Sequence, residues 1–434
     1  MMILAVNNLL DPDTLPMVLR IMVMAVLVNL SCALVGSFLV LRRMSLMGDA
    51  LSHAVLPGLV VAFLFSGSLS IVPMFIGAVL AGVATTFLTQ TLHHYGRLST
   101  DAAMGVVFTS LFALGVVLLK LFGSRVHLDA ACVYEGSLIM VLDTIRVGGL
   151  ELPRQILVAL PVLLVNVLVV AVLWKELKIT TFDSALATAI GISAPVMHYT
   201  LMTLVALTAV ASFQVVGSIL VVAMLIIPPA AAQLCVERLG RMVLLSCLIG
   251  ALVGVLGTLI AVRYDLSPPG TMAVLAGSIY ALAAIFSPTG GLAARAWFNY
   301  QTSARIVRED ILAMLYRVEE YDRSRKIARA DAIEAVGGGF TARHALRTLV
   351  RRGGVTRDEG GLMLTDSGRA QAAQLVRTHR LWEAYLVDEL GLPVDHVHEP
   401  AHRVEHFLDE EIREQLAERL PEGAEDPHGR EIPE

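Results

Sequence analysis

The chain has 434 residues, 56% of them hydrophobic, with a mean hydropathy of +0.70. An ordinary soluble domain is about 45–50% apolar, so the whole chain is not one soluble globule. The formal charge of −5 averages two unlike parts: residues 1–300 carry 14 Lys/Arg and 12 Asp/Glu, whereas residues 301–434 carry 19 and 26. The composition therefore predicts a lipid-facing part and a water-facing part that meet near Asn299–Ser303.

Crossing a bilayer takes about 20 mostly apolar residues. Runs of that kind fall near 17–41, 48–66, 71–92, 102–122, 154–174, 195–212, 214–235, 242–262 and 271–290. The pair around Ser212 is close enough to be miscounted. Asp11 and Asp13, not a basic stretch, precede the first run. This predicts a first span that acts as its own insertion signal and is not cleaved. Arg42 and Arg43, His93, His94 and Arg97, Lys175 and Lys178, and Arg238 and Arg241 fall in alternate loops. The positive-inside rule puts those loops in the cytoplasm and the N-terminus outside. An odd number of spans then leaves the C-terminal part in the cytoplasm. Lys120, Arg125, Arg146 and Arg154 fall on the other side, so the bias is partial.

Two stretches break the pattern. Residues 123–153 are semi-apolar and too interrupted to span, and read as a re-entrant or interfacial element. Residues 175–194 are polar, with a short amphipathic helix predicted from about Asp183, its N-cap. Such a helix between two spans suits docking to another protein; an ordinary connecting loop fits the composition equally. The cysteines Cys32, Cys132, Cys235 and Cys247 have no CxxC spacing and read as small buried hydrophobes.

Ionisable groups inside apolar runs are costly and tend to be functional. The sharpest case is GDALSHAVLPG, residues 48–58. Asp49 and His53 are four apart and share one helical face. A carboxylate and an imidazole aimed into one cavity suit Mn²⁺, Zn²⁺ or Fe²⁺. Pro57 and Gly58 would break the helix just beyond them, as happens near transporter binding sites. A satisfied polar contact at a helix end explains the spacing as well.

In the polar part, residues 305–320 read as an amphipathic helix and 327–336 as a second. After Gly337–Gly339, Thr341 is expected to cap a basic helix carrying Arg343, Arg347, Arg351 and Arg352. Hairpin character follows around Glu359-Gly360-Gly361. Helix, helix, basic helix and hairpin is the order of a winged helix-turn-helix. The arginines are candidate DNA contacts, but 19 basic against 26 acidic side chains leave the segment at −7. That balance disfavours nucleic acid as its main partner. Further on, His398, His402, Glu405 and His406 are expected on one helical face, with His379 and Glu383 as another i, i+4 pair. Together they offer N/O ligands for a compact transition-metal site. A titratable, solvated face is the alternative.

LRRMSLMGDALSHAVLPGLVVAFL, KELKITTFDSALATAIGIS and VASFQVVGSILVVAMLIIPPAAAQL resemble permeases of the manganese/zinc/iron-type ABC importers, over about residues 15–290. The resemblance implies that Asp49 and His53 line a metal pathway. It also implies that the segment beginning at Phe182 and Asp183 contacts an ATPase. The chain has no GxxxxGK[ST] loop, so a separate ABC ATPase subunit would hydrolyse ATP. A permease homodimer, an extracytoplasmic metal-binding lipoprotein and a bacterial inner-membrane location are implied likewise.

LTDSGRAQAAQLVRTHRLWEAYLVDELGL, VHEPAHRVEHFLDEEI and EDPHGREIP resemble iron- and manganese-dependent repressors of the diphtheria-toxin-repressor type, over about residues 303–434. The resemblance implies metal ligands at Asp310, His379, Glu383, His398, Glu405 and His406. His402 stands at a position where members differ and histidine is able to ligate. Ala313 occupies the next carboxylate position of the manganese type, which leaves the number of metals open.

The expected architecture is an all-α polytopic membrane protein of about eight or nine transmembrane helices. Residues 1–300 would form the permease, 301–369 a winged-helix domain and 370–434 a helical metal-binding and dimerisation domain. The expected function is non-catalytic passage of a divalent metal, Mn²⁺, Zn²⁺ or Fe²⁺, with a cytoplasmic domain that senses the ion and gates transport. A membrane-tethered, metal-dependent transcription regulator is the alternative. A membrane enzyme finds little support, since no nucleophile motif such as GxSxG accompanies the Asp49/His53 pair.

Overall fold

The computed structural model describes residues 15–45, 47–67, 71–122, 144–147, 150–288, 290–322, 325–358, 360–419 and 425–433. Its contacts divide the chain into two units, Met1–Ala294 and Arg295–Glu434.

In the first unit, α1 (Leu15–Leu41) is followed by α2 (Met47–Ala54), α3 (Leu56–Ser66), α4 (Ile71–Gly96) and α5 (Thr100–Phe122). Strands β1 (Thr144–Val147) and β2 (Leu150–Pro153) pair antiparallel. Then come α6 (Ile156–Val172), α7 (Trp174–Phe182), α8 (Ser184–Ala189), α9 (Ala194–Val216), α10 (Ser218–Cys235), α11 (Leu239–Tyr264) and α12 (Pro268–Phe286). Among the described residues, eight helical segments are long and apolar enough to cross a membrane, with α2 and α3 together making one of them; α6 and α7, bent by 74°, make a ninth if counted as one span.

Helix α1 is the hub, packed against α11, α10, α9 and α6. Close crossing demands small residues, because helices in lipid associate by packing and not by escape from water. A Cβ on Gly36 would lie 2.1 Å from the Leu225 carbonyl oxygen, so α1 and α10 meet backbone to backbone there. Buried polar side chains pin the bundle: Asn166 Nδ2 donates to Ser31 Oγ and Thr208 Oγ1, each at 2.7 Å. Asn29 Nδ2 donates to the Gly250 carbonyl at 3.1 Å. Cys32 is buried, Cys235 and Cys247 are half-buried, and all three are free thiols.

The break between the two neighbouring spans falls at Gly217 and not around Ser212. Gly217 has φ 81° and ψ 161°, which ends α9 and starts α10 without a loop. A side chain would resist that backbone, and glycine does not. Most of the stretch expected to be re-entrant, with Cys132, lies outside the described residues.

In the second unit, α13 (Leu292–Tyr321, its first turn still in the first unit) is continuous through Asn299–Ser303, since no Gly or Pro interrupts it. Next are α14 (Arg329–Ala335), α15 (Gly339–Arg351), and β3 (Val355–Asp358) paired antiparallel with β4 (Gly361–Leu364). Ile311, Leu312 and Leu315 of α13 pack with Ala332, Ala345, Leu346, Leu349, Val355, Leu362 and Leu364 in one core. This is the winged-helix arrangement.

Thr341 does not cap α15. Gly337, Gly338 and Gly339 all have positive φ, so the chain turns on glycine backbone and the helix starts two residues before the threonine. Glu359 lies outside the described residues. Helix α16 (Asp366–Asp388), capped by Thr365 Oγ1 accepting from the Gly368 N–H at 3.0 Å, runs through 369/370 without a break. Helices α17 (His398–Val404) and α18 (Glu410–Arg419) pack against it.

Candidate metal sites

Helix α2 is only eight residues long and packs against α4, α5, α9 and α10. Asp49 sits in its first turn and His53 in its last. His53 Nε2 is 3.7 Å from Asp49 Oδ1, with side chains 37% and 54% accessible. Phe108 and Phe112 of α5 flank the imidazole at 6.0 and 5.8 Å between ring centroids. Helices α2 and α3 meet at Val55, whose backbone stays helical (φ −72°, ψ −24°), and Pro57 falls in the first turn of α3. The pair thus offers one oxygen and one nitrogen, partly accessible, beside two aromatic rings.

At the end of α7, Phe182 is 63% exposed. Asp183 is the N-cap of α8, its Oδ1 accepting from the Leu186 N–H at 2.8 Å. Leu186 and Ile190 are also exposed, so three large apolar side chains at spacing four line this segment.

Among the described residues, the second unit holds two groups of side chains able to ligate a metal ion. In one, His379 Nε2 lies 3.1 Å from Glu383 Oε1 and 3.0 Å from His398 Nδ1, which is 2.9 Å from Glu383 Oε1. In the other, His406 Nε2 is 3.2 Å from Asp310 Oδ1 and 3.5 Å from Glu405 Oε1. His402 Nδ1 is 2.8 Å from Glu405 Oε1, and its Nε2 is 4.0 Å from Asp310. The single helical face expected over 398–406 is therefore split. Helix α17 stops at Val404, Glu405 and His406 continue as a turn, and His398 joins α16 while the other three close on α13.

Ligands about 2.1 Å from a tetrahedral ion lie about 3.4 Å apart, close to the separations in the Asp310 group. Asp310 Oδ1 and His406 Nε2 are buried and face each other at 3.2 Å, but neither makes a well-aligned hydrogen bond among the described residues. Orphaned atoms of this kind demand an explanation, and a shared cation supplies one. The residues fit a divalent transition metal.

Glu309, which the sequence reading passed over, faces the other nitrogen: its Oε2 is 2.7 Å from His406 Nδ1. Arg305 in turn holds Glu309 at 3.4 Å and donates to the His406 carbonyl. A carboxylate on Nδ1 fixes the imidazole so that Nε2 is the ligating atom. Only adjacency to Asp310 marked Glu309 in the sequence.

Burial pulls the His406 pKa down, but the carboxylates of Asp310 and Glu309, with Glu405 behind them, outweigh it and hold it at about 9. Burial also opposes the charge on His379, and hydrogen bonds to Glu383 and Glu405 overcome it, so its pKa is raised. Burial likewise fails to neutralise Glu383: His379 and His398 hold its pKa down at about 2. Next to His379, the buried Arg380 meets both oxygens of Glu320 at 2.6 and 2.9 Å, Asp426 at 3.3 Å and the Glu431 carbonyl at 2.6 Å. It locks α16 to α13 and to the C-terminal segment.

Arg343, Arg347 and Arg351 are exposed along one side of α15.

Residues 14–287 match the family described as ABC 3 transport family. The chain belongs to that family, a class of multi-pass membrane permeases. Residues 365–434 match the iron dependent repressor metal binding and dimerisation domain. Among relatives, the manganese transport system membrane protein MntD of Bacillus subtilis is 48% identical over 269 residues, covering 62% of this chain and 91% of MntD. The zinc transport system membrane protein TroD of Treponema pallidum is 38% identical over 360 residues, covering 81% of this chain and 97% of TroD. The solved structure of PsaBC from Streptococcus pneumoniae in complex with Fab is 31% identical at a TM-score of 0.54, covering 64% of this chain and 95% of that one.

Proposed function

We propose that this chain is the permease subunit of an ABC importer for a divalent transition metal, Mn²⁺, Zn²⁺ or Fe²⁺. The observation that carries the reading is the Asp49/His53 pair, held 3.7 Å apart on one of the membrane-spanning segments. A carboxylate and an imidazole replace two water ligands of the ion, and the Phe108 and Phe112 rings keep bulk water off one side. Two ligands bind weakly enough for release, which conduction requires. A separate ABC ATPase docks on the exposed apolar row Phe182, Leu186 and Ile190, and an extracytoplasmic lipoprotein delivers the ion to a permease dimer. MntD and TroD, named for manganese and zinc transport, support the substrate class.

Residues 301–369 serve as a winged-helix scaffold and 370–434 as a metal-sensing and dimerisation domain, on the cytoplasmic side of a bacterial inner membrane. Asp310, His402, Glu405 and His406 hold one ion, and His379, Glu383 and His398 a second. Filling them reports internal metal and gates uptake.

Uptake of Mn²⁺, Zn²⁺ and Fe²⁺, each offered alone to cells carrying the permease with its ATPase, tests the reading. Uptake of one ion that vanishes in Asp49→Ala is expected. No uptake of any ion with the ATPase bound would refute it. Gating fails if deletion of residues 303–434 leaves uptake unchanged at every internal metal level. The exposed arginine row on α15 favours a second reading, a tethered regulator. Its test is steeply salt-dependent DNA binding through Arg343, Arg347 and Arg351.

A further inference from the structure

Arg42 immediately follows α1. Its Nε donates to Thr181 Oγ1 at 3.2 Å and its Nη2 to Thr180 Oγ1 at 3.0 Å, both in the last turn of α7. The two hydroxyls are already committed as donors: Thr180 Oγ1 to the Glu176 carbonyl at 2.8 Å, Thr181 Oγ1 to the Leu177 carbonyl at 2.6 Å. A hydroxyl has one proton, so each threonine presents only lone pairs outward. Together they form a fixed two-oxygen acceptor that suits the planar fork of a guanidinium and not the point charge of a lysine. The guanidinium also lies at a helix C-terminus, where the backbone carries partial negative charge. One turn earlier, Phe38 of α1 meets Trp174 of α7 edge-on at 6.2 Å. The last turn of α1 and the residue after it thus hold α7 at both ends.

On the other side of Arg42 the path to the metal pair is short. The N–H groups of Arg42, Arg43 and Met44 return to the carbonyls of Phe38, Val40 and Leu39, each at 3.0 Å. Arg43 has φ 58°, a left-handed conformation that L side chains rarely adopt. This turn leads into α2, with Asp49 in its first turn. In α7, Thr181 stands two positions before Asp183, the N-cap of α8.

We propose that Arg42 is a positioning residue that couples the ATPase-contacting segment, α7 and α8, to the turn that sets where Asp49 and His53 lie. A two-point contact resists rotation as well as sliding, so displacement of α7 is passed to the turn with its direction kept. The inference rests on the importer reading.

The test uses the full permease with its ATPase in proteoliposomes, measuring metal uptake and ATP hydrolysis in the same preparation. Arg42→Gln is expected to leave assembly, ATP hydrolysis and the KM for ATP unchanged. Uptake per ATP should fall about two- to thirtyfold, the range by which residues on a coupling route shift linked equilibria. Arg42→Lys should recover part of the loss. The double variant Thr180→Val/Thr181→Val should reproduce Arg42→Gln with the arginine intact. An unchanged ratio in both Arg42→Gln and the threonine variant, beside normal wild-type uptake, overturns the inference alone. So does a parallel fall of uptake and hydrolysis, which marks a purely structural contact. Absence of uptake by the wild type overturns the importer reading and this inference with it.

Discussion

Glu309→Gln is the sharpest perturbation of the C-terminal unit, because it changes a charge without removing a proposed ligand. Glu309 Oε2 lies 2.7 Å from His406 Nδ1. As a carboxylate it both orients the ring and raises the basicity of Nε2, the atom aimed at Asp310 and Glu405. A neutral amide keeps the shape and loses the basicity. Changes to such outer partners weaken metal binding by about 10–100-fold, or about 1.4–2.7 kcal/mol. At free metal 100 times the parent Kd, bound ion stabilises the fold by about 2.7 kcal/mol; a tenfold weaker site leaves about 1.4 and a hundredfold weaker one about 0.4. The assay is calorimetric titration of the full chain in detergent with Mn²⁺ or Zn²⁺, on an Asp49→Ala background so that the membrane pair is silent. Two ions per chain are expected in parent and variant, with only one affinity reduced. An affinity within about twofold of the parent would refute the argued role of Glu309. Loss of both ions would show instead that it holds the fold.

The other predictions probe separate parts of the molecule. His398→Ala should bind one ion fewer per chain while the Asp310 group keeps its own, read as stoichiometry in the same titration. Metal affinity should rise with pH until about 9, because the ion must displace the proton that Asp310 and Glu309 hold on His406. Stability of the metal-free protein has the opposite sign. A histidine pKa raised on folding stabilises fully below its unfolded value of about 6.5, and that contribution is lost as pH rises through about 9. Thermal melts with chelator across that window check it. Gly36→Ala places a methyl 2.1 Å from the Leu225 carbonyl oxygen. It should destabilise the membrane unit by about 1–3 kcal/mol, visible as a lower melting temperature in detergent.

The spans were legible because a bilayer imposes one simple rule, about 20 apolar residues, and residues 17–41 or 242–262 satisfy it without tertiary help. Their ends were less so. The Gly217 hinge turns on a single backbone angle, and the 74° bend between α6 and α7 falls where the apolar run gives way to the polar stretch from 175, with no Gly or Pro to mark its angle. The same limit applied to the metal clusters. The residue types at 379, 383, 398, 402, 405 and 406 stood out, but a helical period was carried past Val404, where the helix ends. Which histidine joins which group depends on α16, 15 to 19 residues from His398, and on α13, which meets the Glu405–His406 turn across 97 residues of chain. Thr341 and Thr365 make the contrast locally. Both precede helical sequence, but only Thr365 has the extended backbone that lets its hydroxyl reach back to an N–H.

The two kinds of proposed metal site differ in ways that suit different tasks. Asp49 and His53 supply two ligands, both substantially open to their surroundings, on the eight-residue helix that opens its span. Few ligands and a short support favour fast exchange, as an ion on a path needs. The Asp310 group supplies four ligands from two separate parts of the chain, with Glu405 and His406 buried and Glu309 and Arg305 behind. Glu405 also bonds His379 at 2.6 Å through its other oxygen, so the two C-terminal groups share one carboxylate. More ligands, desolvation and outer-shell support favour slow release, as a reader of concentration needs. If both places take the same ion, the tighter one fills first as internal metal rises, while the membrane pair still turns over. On the proposed reading, that ordering would let the permease report its own product before the product accumulates.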